Sequence, residues 1–370
     1  MNHAAPGALR RRLIATGALT AAAALTFTGC AASGGSGDGG ATAGDENISV
    51  SLIVKTSTNP FFVAMQEGAE VAADELGVDL TFAAGKEDGD EDSQIQAIDN
   101  AISKGDAGIL ITPNGPAVED ALVKARDAGL YVIALDTPPA DPESVDITFA
   151  TDNYLAGQEI GKWTAAKLGG EKATIALIDL FDDKVVSVDV ARDQGFLDGM
   201  GIDVADETQN GDEVKTGSYS GGEYEIVGNE ASQGAEDGGR TAAETLLSQN
   251  PDINVVYTIN EPAAYGAYQA LEAAGKSKDD VLIVSVDGGC AGVGQVADGI
   301  IDATSQQYPV KMAELGVEAI VKLVETGEAP ETSDGLDFFN TGVALVTDQP
   351  AEGVESIDTT EAAEICWGTK

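Results

Sequence analysis

From residue 48 onward the chain alternates two patterns, and this alternation limits its folding options more than any other feature. Short β-branched, apolar runs are each followed by a longer segment whose apolar residues recur every three or four positions. Strands are expected at 48–54, 78–83, 108–112 and 131–135. The first helix opens at Pro60, carries Phe62, Met65, Ala69, Ala72 and Leu76 on one face, and stops at Gly77. Helices follow at 93–104, with Ile95, Ile98 and Ile102 on one face, and at 117–128. Right-handed crossovers turn such a series into a parallel sheet covered on both sides. The rhythm resumes after Phe149 with helices at 154–168, 188–200, 240–248, 263–274 and 310–325. Its strands fall at 173–180, 254–259, 281–286, 301–305 and 343–347. A polar stretch, 203–237, interrupts it and holds one expected strand at 213–219. At 370 residues with 43% hydrophobic content, the chain supports two such units. The expected fold class is α/β: two doubly wound parallel-sheet lobes with a cleft between them.

The first residues set the compartment. Arg10-Arg11-Arg12 precedes an apolar run from Leu13 to Thr28 that ends at Gly29-Cys30. A basic head, a short apolar middle and small residues before a cut describe a secretory signal peptide over 1–29. Phe27-Thr28-Gly29-Cys30 resembles a bacterial lipobox, with Phe27 where Leu is usual, and implies that Cys30 becomes a lipidated first residue. Residues 31–46 are rich in Gly, Ser, Ala and Asp, a flexible tether with a reach of roughly 20 Å. Cys290 and Cys366 remain as an even pair in an oxidising context. A disulfide is the default reading there, two buried thiols the alternative.

Charge and residue inventory exclude whole classes of function. Lys plus Arg number 20 against 63 Asp plus Glu, a formal charge of −43. Removal of 1–29 leaves 17 against 63, or −46. Such a surface repels phosphate backbones and anionic lipid, so neither nucleic acid nor a membrane face is an expected partner, apart from the lipid anchor itself. The one histidine, His3, lies in the leader. Histidine-dependent nucleophile systems and histidine zinc sites are therefore absent from the exported chain. Gly288-Gly289-Cys290-Ala291-Gly292-Val293-Gly294 fits neither a dinucleotide nor a phosphate-loop pattern, and reads as a tight turn with close strand–helix packing. The acidic run 87–92 fails the EF-hand spacing and reads as a solvated loop leading into a helix N-terminus. No enzyme activity, cofactor or metal is expected.

Planar polar side chains and aromatics gather instead just past strand ends, where doubly wound sheets line a ligand crevice. Lys55, Asn59, Phe61 and Phe62 follow the first strand, and Asp136 follows the fourth. Arg192 lies early in a helix, while Asn260, Glu261 and Asp287 end strands and Gln307 follows Ser305. A monosaccharide needs this mixture. Its C–H face packs on aromatic rings, and its hydroxyls exchange water for fixed donors and acceptors.

Six segments carry a family resemblance in the family's order. They are Lys55-Thr56-Ser57-Thr58-Asn59-Pro60-Phe61-Phe62, Val132-Ile133-Ala134-Leu135-Asp136, Arg192-Asp193-Gln194-Gly195-Phe196, Thr258-Ile259-Asn260-Glu261-Pro262, Ser285-Val286-Asp287-Gly288 and Ala303-Thr304-Ser305-Gln306-Gln307. Together they resemble the ribose-binding class of type I periplasmic sugar-binding proteins over roughly 49–368. Asp287-Gly288-Gly289-Cys290 and the ending Cys366-Trp367-Gly368 bring the chain nearest the solute-binding proteins of fructose ABC importers. The resemblance implies a lobe of 47–150 plus 308–336, a second of 151–307 plus 337–370, and a three-strand hinge. It further implies that Phe61 and Phe62 stack on a sugar ring and that Asn59, Asp136, Arg192, Asn260, Asp287 and Gln307 bind its hydroxyls. Lys55 is counted with these ligands from its place just past the first strand. The partners implied are a monosaccharide, fructose first, and the importer's permease and ATPase, with the protein itself a monomer at the outer face of the cytoplasmic membrane. Lys55 and Thr137 stand where ribose-specific members carry Ser and Arg, which favours fructose.

Overall fold

A computed structural model describes residues 48–368. The expected signal peptide, Cys30 and the tether lie outside the described residues. The chain enters through β1 (Ser49–Val54), α1 (Pro60–Leu76), β2 (Asp79–Ala84), α2 (Glu91–Lys104), β3 (Gly108–Ile111), α3 (Glu119–Asp127), β4 (Tyr131–Leu135) and β5 (Ile147–Ala150). It then passes into a second body: α4 (Asn153–Leu168), β6 (Ala173–Asp179), α5 (Ser187–Met200), β7 (Thr216–Ser218), β8 (Glu223–Ala231), α6 (Glu236–Gln249), β9 (Val255–Thr258), α7 (Glu261–Ala273), β10 (Leu282–Asp287), α8 (Cys290–Ala297) and β11 (Ala303–Gln306). It returns for α9 (Pro309–Thr326) and β12 (Phe339–Asn340), then crosses once more to β13 (Ala344–Val346) and α10 (Thr359–Ile365).

The strands form two sheets, ordered β12-β5-β4-β3-β1-β2 and β13-β11-β10-β9-β6-β8-β7. The first is parallel throughout. The second is parallel except at its edges, where β13 and β7 run antiparallel to β11 and β8. The chain thus passes between the sheets three times, at 151–152, 307–308 and 341–343. Each sheet is covered on both faces. In the first, Val50, Leu52, Leu110 and Ile133 pack under α1 and α9, while Ile53, Ile109 and Val132 pack under α2 and α3. In the second, Ile175, Leu177, Phe196 and Tyr257 fill one face, and Ile178, Val256, Ala263 and Ile283 the other. Burial on both faces explains why the central strands read as continuous apolar runs.

Several elements differ from the sequence expectation. β5 and β12 extend the first sheet beyond its four expected strands, and β12 places residues 339–340 there rather than with the second lobe. The polar stretch contains a long second strand, β8, beside the short β7. Tyr224 and Ile226 are buried at alternate positions of β8, and Glu223 and Glu225 beside them mask the period. Helix α10 was also not expected. No helix of the described residues is long and apolar enough to cross a membrane.

Candidate functional site

The carboxyl ends of β1, β4, β6, β9 and β10 meet at one cavity, which Phe61 and Phe62 of α1 and Val188 and Arg192 of α5 also line. At β1, the Lys55 amide donates to Thr112 Oγ1 at 2.9 Å. Asn59 caps α1 by accepting from the Phe61 amide at 2.9 Å, and Pro60 fixes the first turn. That cap aims Phe61 and Phe62, whose rings meet edge-to-face at 5.4 Å. At β4, Asp136 turns back sharply with a φ of 63°, and its Oδ2 accepts from Thr137 Oγ1 at 2.7 Å. Asp287 has a φ of 144°. These are two of only three non-glycine residues with positive φ among the described residues, so backbone strain collects at two expected ligands.

Arg192 reaches the centre because α4 and α5 pack backbone to backbone. A Cβ on Gly157 would lie 2.1 Å from the Arg192 carbonyl oxygen, and one on Gly195 would lie 2.1 Å from that of Tyr154. The guanidinium donates through Nε to Asn153 Oδ1 at 2.8 Å and through Nη1 to the Ile259 carbonyl at 3.0 Å. It stands between two carboxylates, 3.8 Å from Asp136 Oδ1 and 3.9 Å from Asp287 Oδ1. Asp136 Oδ1 has no hydrogen-bond partner. Burial pushes Asp287 up to about 7; the nearby Arg192 opposes this and Asp136 adds to it.

Eight of the nine expected ligands line one cavity of about 40 Å³: Lys55, Asn59, Phe61, Phe62, Asp136, Arg192, Asn260 and Asp287. Gln307 does not line it. Its Nε2 donates to Asp287 Oδ1 at 3.2 Å, holding that carboxylate from behind. Asn260 caps α7 by accepting from the Ala263 amide and also donates to the Gly234 carbonyl. Glu261 lies behind the wall, accepting from the Gly288 and Gly289 amides and Thr304 Oγ1; burial still pushes it up to about 8. Sequence reasoning missed Asp88, Leu180, Val188 and Ile259, which complete the lining. In the sequence Asp88 reads as part of a solvated loop. Its neighbours fit that reading, since Asp90 caps α2 and Glu91 and Asp92 sit in the first turn. Nothing local in the sequence separates Asp88 from them.

Two further structures brace the wall. Cys290 and Cys366 form a disulfide, so the default reading of that pair holds. Trp367, next to Cys366, packs edge-to-face on Phe61 at 5.3 Å and donates to the Gln307 carbonyl at 2.9 Å. Gly288 adopts a φ of +74°, and a Cβ there would lie 2.3 Å from Gln306, so the glycine-rich segment is the tight turn expected of it. Among the described residues no group of three or more His, Cys, Asp or Glu side chains is placed to hold a metal ion.

Two α/β lobes with a polar, aromatic-walled cleft at their strand ends define a type I periplasmic binding protein. The family model described as "Periplasmic binding protein domain" matches residues 50–329. A ribose import binding protein of Escherichia coli is 29% identical over 290 residues, covering 78% of this chain and 88% of that protein. A D-ribose/D-allose-binding protein of Pseudomonas aeruginosa is 28% identical over 314 residues, covering 82% and 89%. Among solved structures, an ABC transporter solute-binding protein from Agrobacterium vitis with bound D-fucose superposes with a TM-score of 0.70 at 26% identity, covering 86% of this chain and all of that one. The chain belongs to the periplasmic binding protein family, as a sugar-binding member of its ribose-binding class. Such proteins are solute-binding components of importers, not enzymes.

Proposed function

We propose that this chain is the extracytoplasmic binding lipoprotein of an ABC sugar importer and that its cargo is a monosaccharide, fructose first, with ribose and mannose as alternatives. One observation carries the reading: side chains scattered from Lys55 to Asp287 meet at a single cavity, with Arg192 held between two carboxylates and two phenyl rings alongside. Asp136 Oδ1 is an acceptor without a donor, which a sugar hydroxyl satisfies. The lobes are taken as 47–150 with 308–340 and 151–307 with 343–370, the second return strand being the one shift from the sequence boundaries. The three crossings act as the hinge, and the closed form is what the permease recognises. Fructose rests on the motif resemblance; the relatives above are named for ribose and allose. Lipidation at Cys30 rests on the lipobox-like segment and is tested by losing membrane retention in Cys30→Ala.

Calorimetric titration of the exported chain with fructose, ribose, allose, mannose, glucose and myo-inositol is the test. Saturable binding of one or two of these is expected, and silence across the panel at millimolar sugar sinks the proposal.

A further inference from the structure

Lys55 is only 4% exposed, a burial that lysine seldom reaches without a partner. Its backbone is held on both sides, the amide by Thr112 Oγ1 and the carbonyl by Asn114 Nδ2 at 3.2 Å. Its ammonium nevertheless has no hydrogen-bond or ion-pair partner among the described residues. It lines the cavity together with Asp88, a half-buried residue of the loop between β2 and α2.

Asn114 fixes that loop as well. Its Oδ1 accepts from the Gly89 amide at 2.9 Å and its Nδ2 donates to the Asp90 carbonyl at 3.3 Å. One buried amide therefore sets the place of both the cation and the carboxylate, which face the same space without touching. Burial raises the Asp88 carboxyl while the charge of Lys55 lowers it, so the two are within electrostatic reach.

The group that satisfies both at once is a hydroxyl, which accepts from an ammonium and donates to a carboxylate. An anionic group would pair with Lys55 but would meet Asp88, Asp136 and Asp287, three carboxyls against the two cations Lys55 and Arg192. We propose that Lys55 and Asp88 form a split ion pair completed by one hydroxyl of a neutral sugar. They are the specificity-determining residues that exclude acidic sugars, and Asn114 is their positioning residue. The assignment rests on the sugar-binding reading above. It also implies a conflict between stability and binding, because a largely buried lysine whose ammonium has only the cavity to face burdens the sugar-free fold. A lysine kept for structure has no such signature.

The experiment titrates the full chain and its Lys55→Met and Asp88→Asn variants with the same sugar panel plus D-glucuronate, and melts each without sugar. Each variant is expected to lose at least about tenfold in affinity for whichever neutral sugar the wild type binds. Lys55→Met is expected to melt no lower than wild type, and D-glucuronate to bind more weakly than the neutral sugar. Wild-type affinity in either variant, preferred binding of D-glucuronate, or a lowered melting temperature in Lys55→Met overturns the split pair while leaving the sugar site standing. A wild type silent toward every sugar overturns the parent reading and the pair with it.

Discussion

Arg192 and Asp136 show how much a single side chain is asked to do in this cleft. The guanidinium spends two donors on Asn153 and the Ile259 carbonyl, which lock its plane, and turns the remainder toward the cavity. Arg192→Ala leaves Asp136 and Asp287 facing each other without their shared cation, so sugar affinity is expected to fall by about 10- to 100-fold in calorimetry, or ~1–3 kcal/mol. Asp136 offers a cleaner probe, because its φ of 63° suits glycine better than aspartate. Asp136→Gly is expected to lose affinity by a similar factor while its sugar-free melting temperature stays level or rises. A second set of residues, outside the cavity lining, adds to the response to pH. Asp179, Asp193 and Glu213 lie buried together, bridged by the amides of Gln194 and Asn229, and buried Asp189 accepts from the Leu180 amide nearby. Burial pushes Asp179 from 3.8 up to about 6, and raises Asp189 and Asp193 as well, with Arg192 opposing the shift of Asp189. The folded chain then holds protons that the unfolded chain has already released, so this cluster's contribution to stability falls as pH rises from about 4 through about 6. Thermal melts across that window should show a shallower decline in Asp179→Asn than in wild type. An identical slope in the two proteins contradicts the buried-proton account.

At the scale of elements, the C-terminal strap joins the two halves of the site. The Cys290–Cys366 bond holds the end of α10 to the start of α8 in the second body, and Trp367 then reaches Phe61 of the first. Severing the disulfide in a Cys290→Ser, Cys366→Ser double variant frees a loop of 76 residues, for which chain entropy assigns roughly 4 kcal/mol. A lower melting temperature and weaker sugar binding are expected together, because Phe61 loses its backing. Unchanged affinity in a destabilised variant assigns the strap to the fold alone. Elements of this kind mark where the sequence stops being legible. The strand–helix alternation is readable because fully buried strands and amphipathic helices differ in period, and most strand ends, with the expected ligands just past them, fall where that period places them. β5 escaped notice because four buried residues, Ile147–Ala150, are too short for a period, and β8 because charges interleave its buried face. Asp88 escaped for a different reason. Its role depends on Asn114, a residue 26 positions away that folds the loop inward, and no local pattern records that contact.

At the scale of the whole molecule, the cleft is bridged by few contacts besides the three crossings. Ser187 Oγ donates to the Pro138 carbonyl at 2.6 Å and Lys184 Nζ reaches the Gly89 carbonyl at 3.5 Å. The inner cavity of about 40 Å³ also shares Asn59 and Asp88 with a wider cleft of about 940 Å³. A ring-sized ligand therefore enters only if the lobes part and then close over it, a hinge motion on the microsecond to millisecond scale. The two tryptophans of the chain make this motion observable, since they occupy opposite situations. Trp163 is fully buried inside the second lobe, hydrogen-bonded to the Gln349 carbonyl, in a core cluster drawn from that lobe alone. Trp367 lies on the seam, against Phe61 on one side and the Gln307 carbonyl on the other. Sugar is expected to change the intrinsic fluorescence through Trp367 alone. Trp163→Phe should keep both the sugar-dependent signal and wild-type binding, and Trp367→Phe should lose the signal while still binding, more weakly, in calorimetry. If the signal instead follows Trp163, the change on binding lies within the second lobe, and closure of one lobe on the other is the wrong description of how this protein takes up its cargo.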